Sequence, residues 1–148
     1  MNSKTVGKTP DKPFRVLVVD DDHQDAYFVT SALKEAGVEE TEIVMSGAAA
    51  LKTIREARHD LVILDLNLPG ISGRDVLSEV RNGDTPMNTP IVVLSASAQR
   101  MDIEDCYALR ANAYVVKPYD LGEYDEIARG VRDFWKDICR LPGALPAV

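Results

Sequence analysis

Acidic, hydroxyl and basic side chains follow four of the apolar runs in this sequence. The residues at these positions are Asp20, Asp21 and Asp22, then Asp65, Ser95 and Lys117. Clustered carboxylates repel one another unless a cation neutralises them, and hard oxygen ligands with room for water suit Mg²⁺. A carboxylate oxygen beside such an ion can act as a nucleophile, while a lysine neutralises the charge of a transferred phosphoryl group. These residue types therefore predict phosphoryl chemistry at Asp65, provided that the fold brings them together.

The elements that must position these residues are five short apolar runs, which alternate with five longer stretches of helical character. The runs cover residues 14–19, 42–44, 61–64, 91–94 and 113–116. The helical stretches cover residues 25–36, 48–57, 74–80, 102–109 and about 121–140. This alternation predicts an α/β domain with a doubly wound, five-stranded parallel sheet and helices on both faces, in which the weak run 42–44 forms an edge strand. Ligands of such sheets bind outside the carboxyl ends of the strands, so the candidate residues should converge there.

Several other residues with chemical potential have simpler structural interpretations. Asp22 and Asp102 fit helix N-caps, although Asp22 also fits a solvated side chain. His59 fits a cation near the end of a helix. Cys106 and Cys139 have neither the spacing of a zinc site nor the density of a disulfide scaffold, which predicts packing roles and a reducing cytoplasm.

Length and charge narrow the class of protein further. The 148 residues fit one domain at 14–141, with a flexible N-terminal tail at 1–13 and a short C-terminal tail at 142–148. The excess of 24 acidic over 17 basic residues, a net charge of −7, disfavours nucleic-acid binding. No apolar run approaches the roughly 20 residues of a membrane span, and the N-terminus has no secretory signal pattern. These features predict a cytoplasmic protein that signals to another chain rather than to an attached output domain.

Four motifs in order resemble one known family. They are VVDD at 18–21, LDLNLPGISG at 64–73, VLSA at 93–96 and YVVKP at 114–118. Each is weak alone, but all four end apolar runs, and together they resemble the CheY-like receiver domain of two-component response regulators. The resemblance implies the flavodoxin-like receiver fold and a stand-alone, single-domain regulator that takes a phosphoryl group from a histidine kinase and switches a protein-interaction surface. It also implies no enzymatic activity beyond self-catalysed phosphorylation and dephosphorylation.

The resemblance assigns a role to each matching residue. Asp65 is the implied phosphoacceptor. The implied Mg²⁺ ligands are Asp20, Asp21, Asp65 and the backbone carbonyl of Asn67. Ser95 corresponds to the switch hydroxyl, Lys117 to the phosphate-binding lysine and Tyr114 to the aromatic residue that rotates between two states. The family also implies a cis peptide bond between Lys117 and Pro118.

A narrower resemblance lies toward the C-terminus. Residues 134–142, together with 106–109 and 111–114, are similar to the single-domain regulators associated with bacterial phytochrome kinases. This similarity implies a light-sensing histidine kinase as the phosphodonor. The surface formed by helix 4, strand 5 and helix 5 is then a candidate for homodimerisation.

Two alternatives to a switchable receiver stay open at this point. An aspartate-nucleophile phosphatase of the haloacid-dehalogenase type would place a second acid two residues after its nucleophile, whereas Asn67 follows Asp65. A phosphorylation-independent adaptor would bind its partner equally well with and without a phosphoryl group. A stable mono-phosphorylated chain that disappears in Asp65→Asn would argue against the phosphatase, whereas multiple-turnover release of phosphate from diverse monoesters would favour it. Partner affinity in the two states would test the adaptor.

Overall fold

The computed structural model describes residues 13–142, so nearly all of the predicted tails at 1–13 and 142–148 lies outside the described residues. Its centre is a parallel sheet of five strands in the order β2-β1-β3-β4-β5. The strands are β1 (Arg15–Val19), β2 (Glu40–Val44), β3 (Leu61–Leu64), β4 (Ile91–Ser95) and β5 (Ala113–Val116). The predicted doubly wound sheet is therefore confirmed, and β2 is an edge strand as expected.

Five α-helices cover the two faces of the sheet. They are α1 (His23–Glu35), α2 (Gly47–Arg55), α3 (Gly73–Asn82), α4 (Arg100–Ala108) and α5 (Gly122–Val131). Alternate residues of each strand point to opposite faces. Val16 and Val18 of β1 therefore join a core cluster with α1 and α5, while Leu17 and Val19 join a second cluster with α2, α3 and α4.

Local capping explains where α1 begins and ends. The Asp22 side chain accepts hydrogen bonds from the backbone N–H groups of Gln24 and Asp25, which makes it the N-cap that the sequence indicated. Gly37 follows the helix with φ +98°, a left-handed conformation in which a side chain would be strained. The chain therefore turns sharply into β2 after α1.

Two predicted helix boundaries are wrong. The fourth helix begins at Arg100 with Gln99 as N-cap, and Asp102 does not cap it because its carboxylate binds Arg74 and Ser97 instead. The last helix does not continue in α form to residue 140. After α5 it becomes a π-helical segment, Arg132–Ile138, closed by a hydrogen bond from Cys139 N–H to the carbonyl oxygen of Phe134.

Both cysteines pack as predicted. Cys106 is fully buried against the face covered by α2 and α3, and Cys139 packs against the core beneath α1 and α5. Both are free thiols.

A buried arginine connects three segments of the domain by hydrogen bonds. The Arg81 guanidinium, at the end of α3, donates to the carbonyl oxygens of Met87, Thr89 and Arg110 and to Oδ1 of Asn112, over 2.8 to 3.0 Å. It therefore joins α3 to the segment before β4 and to the turn between α4 and β5.

Candidate functional site

Strand order brings the candidate residues to one edge of the sheet. Strands β1 and β3 are neighbours with Val19 opposite Leu64, so Asp20 and Asp65 follow side by side. The backbone N–H of Asp65 donates to the carbonyl oxygen of Val19 over 3.0 Å, which extends the ladder one residue past the strand. Two residues 45 positions apart in sequence therefore present their carboxylates to the same space.

Asp20, Asp21 and Asp65 form an acid cluster that can hold a metal ion. Each offers one carboxylate oxygen, and these oxygens all lie within 4.8 Å of one another. Asp20 and Asp65 are only 3% and 5% exposed, whereas Asp21 is exposed. Burial raises the pKa of Asp20 because the ionised carboxylate loses its contact with water. A bound cation would stabilise that ionised carboxylate in place of water. Hard, partly open oxygen donors of this kind fit a divalent cation such as Mg²⁺.

Lys117 lies at the buried side of this cluster. Its Nζ is 2.9 Å from Asp20 Oδ2, 3.2 Å from Asp65 Oδ2 and 2.9 Å from Asp25 Oδ2. Burial alone would lower the pKa of Lys117, but the hydrogen bonds to Asp25 and Asp20 and the charge of Asp65 outweigh it and raise the pKa. The lysine is therefore a fixed positive charge beside the two buried acids.

The backbone around Asp65 is tightly confined. Asn67 N–H donates to Asp65 Oδ1 over 3.3 Å, while the Asn67 side chain is exposed. At Gly73, the first residue of α3, a Cβ atom would lie 2.2 Å from the carbonyl oxygen of Asp65. Because only glycine permits this approach, α3 can pack directly against the segment that carries the carboxylate.

The hydroxyl and the aromatic residue lie on the next two strands. Ser95 is fully buried at the end of β4, and its Oγ accepts a hydrogen bond from Ser97 N–H over 3.2 Å. Tyr114 of β5 is half-buried, and its hydroxyl donates to the carbonyl oxygen of Ser97 over 2.8 Å. Ser95 and Tyr114 are therefore linked through the same short loop, which begins where β4 ends.

Two functional contacts were missed by the sequence reasoning. Asp25 reaches Lys117 from the first turn of α1, four residues after Asp21, and no local sequence pattern indicated this contact. Arg74 of α3 binds Asp102, whose carboxylate also accepts from the Ser97 hydroxyl. This second contact joins residues far apart in sequence, so no local pattern could have indicated it.

Two expectations from the sequence are contradicted by the structure. The described chain contains no cis peptide bond, so the bond between Lys117 and Pro118 is trans. His59 is a buried side chain before β3, with Nε2 3.0 Å from Glu42 Oε1, rather than a cation at a helix end. Burial lowers the pKa of His59 despite the attraction of Glu42, which favours the neutral imidazole.

The fold and the site together define a class of protein: a doubly wound α/β domain with an acid cluster and a buried lysine at the carboxyl edge of its sheet. The sequence pattern of the response regulator receiver domain matches residues 16–129. The chain belongs to the response regulator receiver family, as its four motifs predicted.

Two relatives, one of them similar both in sequence and in its crystal structure, place the chain more narrowly within the family. Response regulator Rcp1 of Synechocystis sp. is 31% identical over 140 residues, which cover 89% of this chain and 95% of Rcp1. The crystal structure of the Mn²⁺-bound form of Rcp1 is similar with a TM-score of 0.79 at 32% identity, covering 88% of this chain and 99% of that one. The phosphorylated cyanobacterial phytochrome response regulator RcpA gives a TM-score of 0.81 at 33% identity, with coverage of 88% and 99%. The resemblance to regulators associated with phytochromes is thus confirmed.

Within residues 13–142, no helix has the length and apolar character that a membrane crossing requires.

Proposed function

We propose that this protein is a stand-alone receiver that accepts a phosphoryl group on Asp65 from a histidine kinase and thereby switches a protein-interaction surface. The observation that carries the proposal is the position of Lys117, whose ammonium group contacts both buried acids, Asp20 and Asp65, at the carboxyl edge of the sheet. A nucleophilic carboxylate, a cation-binding acid cluster and a fixed positive charge are the parts that phosphoryl transfer to an aspartate requires.

The proposed reaction is a single displacement at phosphorus. A carboxylate oxygen of Asp65 forms a P–O bond as the P–N bond of the kinase phosphohistidine breaks, and the electron pair returns to the imidazole nitrogen, which takes a proton from solvent. Lys117 lies where it can donate to an oxygen of the transferred group. Mg²⁺ held by Asp20, Asp21, Asp65 and the Asn67 carbonyl would neutralise the charge that develops on the phosphoryl oxygens.

The proposed switch uses the loop after β4. Ser95 donates its hydroxyl to the new phosphoryl group and moves toward it, and Tyr114 responds because both residues bind Ser97. Hydrolysis of the acyl phosphate, assisted by the same site, returns the loop to its first position. The altered surface is formed by α4, β5 and α5, the surface that we propose also for homodimerisation.

The proposed phosphodonor is a bacterial phytochrome kinase, and the proposed location is cytoplasmic. Support for the donor comes from RcpA, a cyanobacterial phytochrome response regulator whose fold this chain shares. The Mn²⁺-bound form of Rcp1 supports divalent metal binding, and Mg²⁺ is the proposed physiological ion because the acid cluster is built from hard oxygen donors. Membership of the receiver family argues against the dehalogenase-type phosphatase.

The decisive experiment follows phosphoryl uptake by intact mass. Incubation with acetyl phosphate and Mg²⁺ should add one phosphoryl group to the wild-type protein, and Asp65→Asn should add none because it lacks the attacking carboxylate. Asp84→Asn, which alters an exposed acid in the loop after α3, is the matched control and should react like the wild type. Multiple-turnover release of phosphate from diverse monoesters without a phosphorylated protein would contradict the proposal.

A second measurement addresses the switch and the donor. Partner affinity should differ between the phosphorylated and the unphosphorylated protein, whereas equal affinity would favour the phosphorylation-independent adaptor. Phosphotransfer from candidate kinases of the same genome, read by mass, should be fastest from a phytochrome kinase.

A further inference from the structure

Asp25 binds the site lysine without belonging to the acid cluster that can hold a metal. Its Oδ2 is 2.9 Å from Lys117 Nζ, and the cluster consists of Asp20, Asp21 and Asp65. The backbone of Asp25 is held in the first turn of α1, where its N–H donates to Asp22 Oδ1 over 3.0 Å. The carboxylate is therefore presented to the lysine from a helix whose start is capped.

The Lys117 ammonium group has three N–H donors, and the structure gives each one a carboxylate partner. Asp20 and Asp25 take two of them at 2.9 Å, and Asp65 takes the third at 3.2 Å. The donors of an ammonium group diverge tetrahedrally. Two fixed hydrogen bonds therefore determine the direction of the third, which points to the proposed phosphoacceptor.

The two anchors of the lysine differ in how they respond to a metal ion. Asp20 is part of the acid cluster, so a bound cation competes with Lys117 for its carboxylate. Asp25 lies outside the cluster and keeps its charge available to the lysine. Its side chain is 31% exposed and that of Lys117 only 10%, so the contact also closes the outer side of a buried ammonium group.

We propose that Asp25 is a positioning residue for phosphoryl transfer: it anchors Lys117 from α1 so that the ammonium group stays directed at Asp65 while the acid cluster holds its metal ion. The inference rests on the proposed phosphoacceptor function and adds a residue to it. Asp25 touches neither the phosphoryl group nor the metal ion in this role, and it acts only through the lysine.

The test compares rates of phosphorylation by acetyl phosphate at saturating Mg²⁺. Asp25→Ala should lower the maximal rate about tenfold, the value of one charge-assisted hydrogen bond. Asp25→Asn should lower it less, because the amide oxygen still accepts from Lys117. The half-saturating concentration of acetyl phosphate should change little, since Asp25 orients the lysine rather than binding the donor.

Glu35→Gln supplies the matched control, because it removes an exposed acid from the same helix, ten residues or roughly 15 Å away. It should phosphorylate like the wild type. A second readout is the ¹⁵N signal of the Lys117 ammonium group, assigned by its loss in Lys117→Met. A held ammonium should exchange slowly in the wild type and rapidly in Asp25→Ala, which a weakened helix start alone would not produce.

The outcomes separate this inference from the proposal on which it rests. If the wild type and Glu35→Gln take up phosphoryl groups and Asp25→Ala does so at the same rate, the positioning role is wrong. An unchanged ammonium signal in Asp25→Ala would also overturn it. If the wild type itself takes up no phosphoryl group, the proposed function fails instead.

Discussion

At the scale of single residues, the site depends on one positive charge among several negative ones. Lys117 is nearly buried, and without it Asp20 and Asp65 would hold two uncompensated charges at the end of a hydrophobic sheet. Desolvated charges are tolerated in proteins when they are paired and hydrogen-bonded, and these are. The ion pairs between Lys117 and the two buried acids thus also place a positive charge beside Asp65, where the proposed phosphoryl transfer occurs.

The sequence predicted these site residues because each one ends an apolar run, a position that depends only on chain order. It could not predict Asp25, since its role arises from the direction in which α1 leaves β1. His59 was misread for a similar reason. Its side chain is buried and contacts Glu42 of the edge strand, and nothing in the local sequence indicates that contact.

His59 should make the protein less stable at mildly acidic pH. Its pKa lies below the ordinary value of 6.5 in the folded state because burial disfavours the imidazolium ion. Well above pH 6.5 the imidazole is neutral in both the folded and the unfolded state, so it does not affect how stability depends on pH. As the pH falls below 6.5, the unfolded chain binds a proton that the folded chain excludes, so the free energy of unfolding decreases.

Urea unfolding at several pH values should therefore show a smaller decline between pH 7 and pH 5 in His59→Gln than in the wild type. The ring proton signals of His59 should titrate with a midpoint below 6.5. A midpoint at or above that value would show that Glu42 dominates over burial.

At the scale of the elements, the structure is held by contacts that cross between helices and loops. The alternation of apolar runs and helical stretches predicted five strands with helices between them along the chain, since strands and helices both follow from hydrophobic periodicity. The ends of the helices were harder to predict. Asp102 looked like an N-cap, but its carboxylate serves Arg74 on α3 and the Ser97 hydroxyl, so α4 begins earlier.

This contact between α3 and α4 lies beside the proposed switch loop. Ser97 receives the Tyr114 hydroxyl on its carbonyl oxygen and gives its own hydroxyl to Asp102. Movement of the loop would therefore change hydrogen bonds to both β5 and α4. The π-helical segment after α5 is a second feature that hydrophobic periodicity did not indicate.

Arg81 should be the most sensitive of the basic residues to substitution. Arg81→Ala would remove the donor to the carbonyl oxygens of Met87, Thr89 and Arg110 and one of the two donors to Asn112 Oδ1. It should lower the free energy of unfolding by about 3 kcal/mol. The free energy of unfolding of Arg81→Lys should lie between those of the wild type and Arg81→Ala, because one ammonium group cannot reach all four acceptors. Urea unfolding measures both.

Arg55→Ala is the control, since Arg55 of α2 forms a half-exposed ion pair with Glu79 that is worth less than about 1 kcal/mol. Equal losses in Arg81→Ala and Arg55→Ala would contradict the role assigned to the buried guanidinium.

At the scale of the whole molecule, metal binding and folding should be coupled. The net charge of −7 includes an acid cluster that forms only when β1 and β3 pair, so Mg²⁺ should bind the folded chain in preference to the unfolded one. At one hundred times its dissociation constant, Mg²⁺ should add about 2.7 kcal/mol to the free energy of unfolding, and EDTA should reverse the effect.

Substitution of Asp21 should remove this response. Asp21 is exposed, so Asp21→Asn should leave the packing intact, and it should make the metal-free protein more stable because one repelling charge is gone. Asp22→Ala should do the opposite: it loses the N-cap at a cost of about 1 kcal/mol and keeps the response to Mg²⁺. Thermal unfolding with and without Mg²⁺ checks both variants, and an unaltered Mg²⁺ response in Asp21→Asn would contradict the acid cluster as the metal site.

Lys117 and Asp20 meet across 97 positions of sequence. A ribosome that has completed β1 and β3 has therefore made the acids but not yet their counter-ion, which arrives with the last strand. If Asp65 is the phosphoacceptor, as we propose, a chain released before residue 117 lacks the lysine that contacts it and should accept a phosphoryl group slowly. Under the proposed function, phosphorylation by a kinase would therefore be restricted to copies of the protein whose synthesis has passed residue 117.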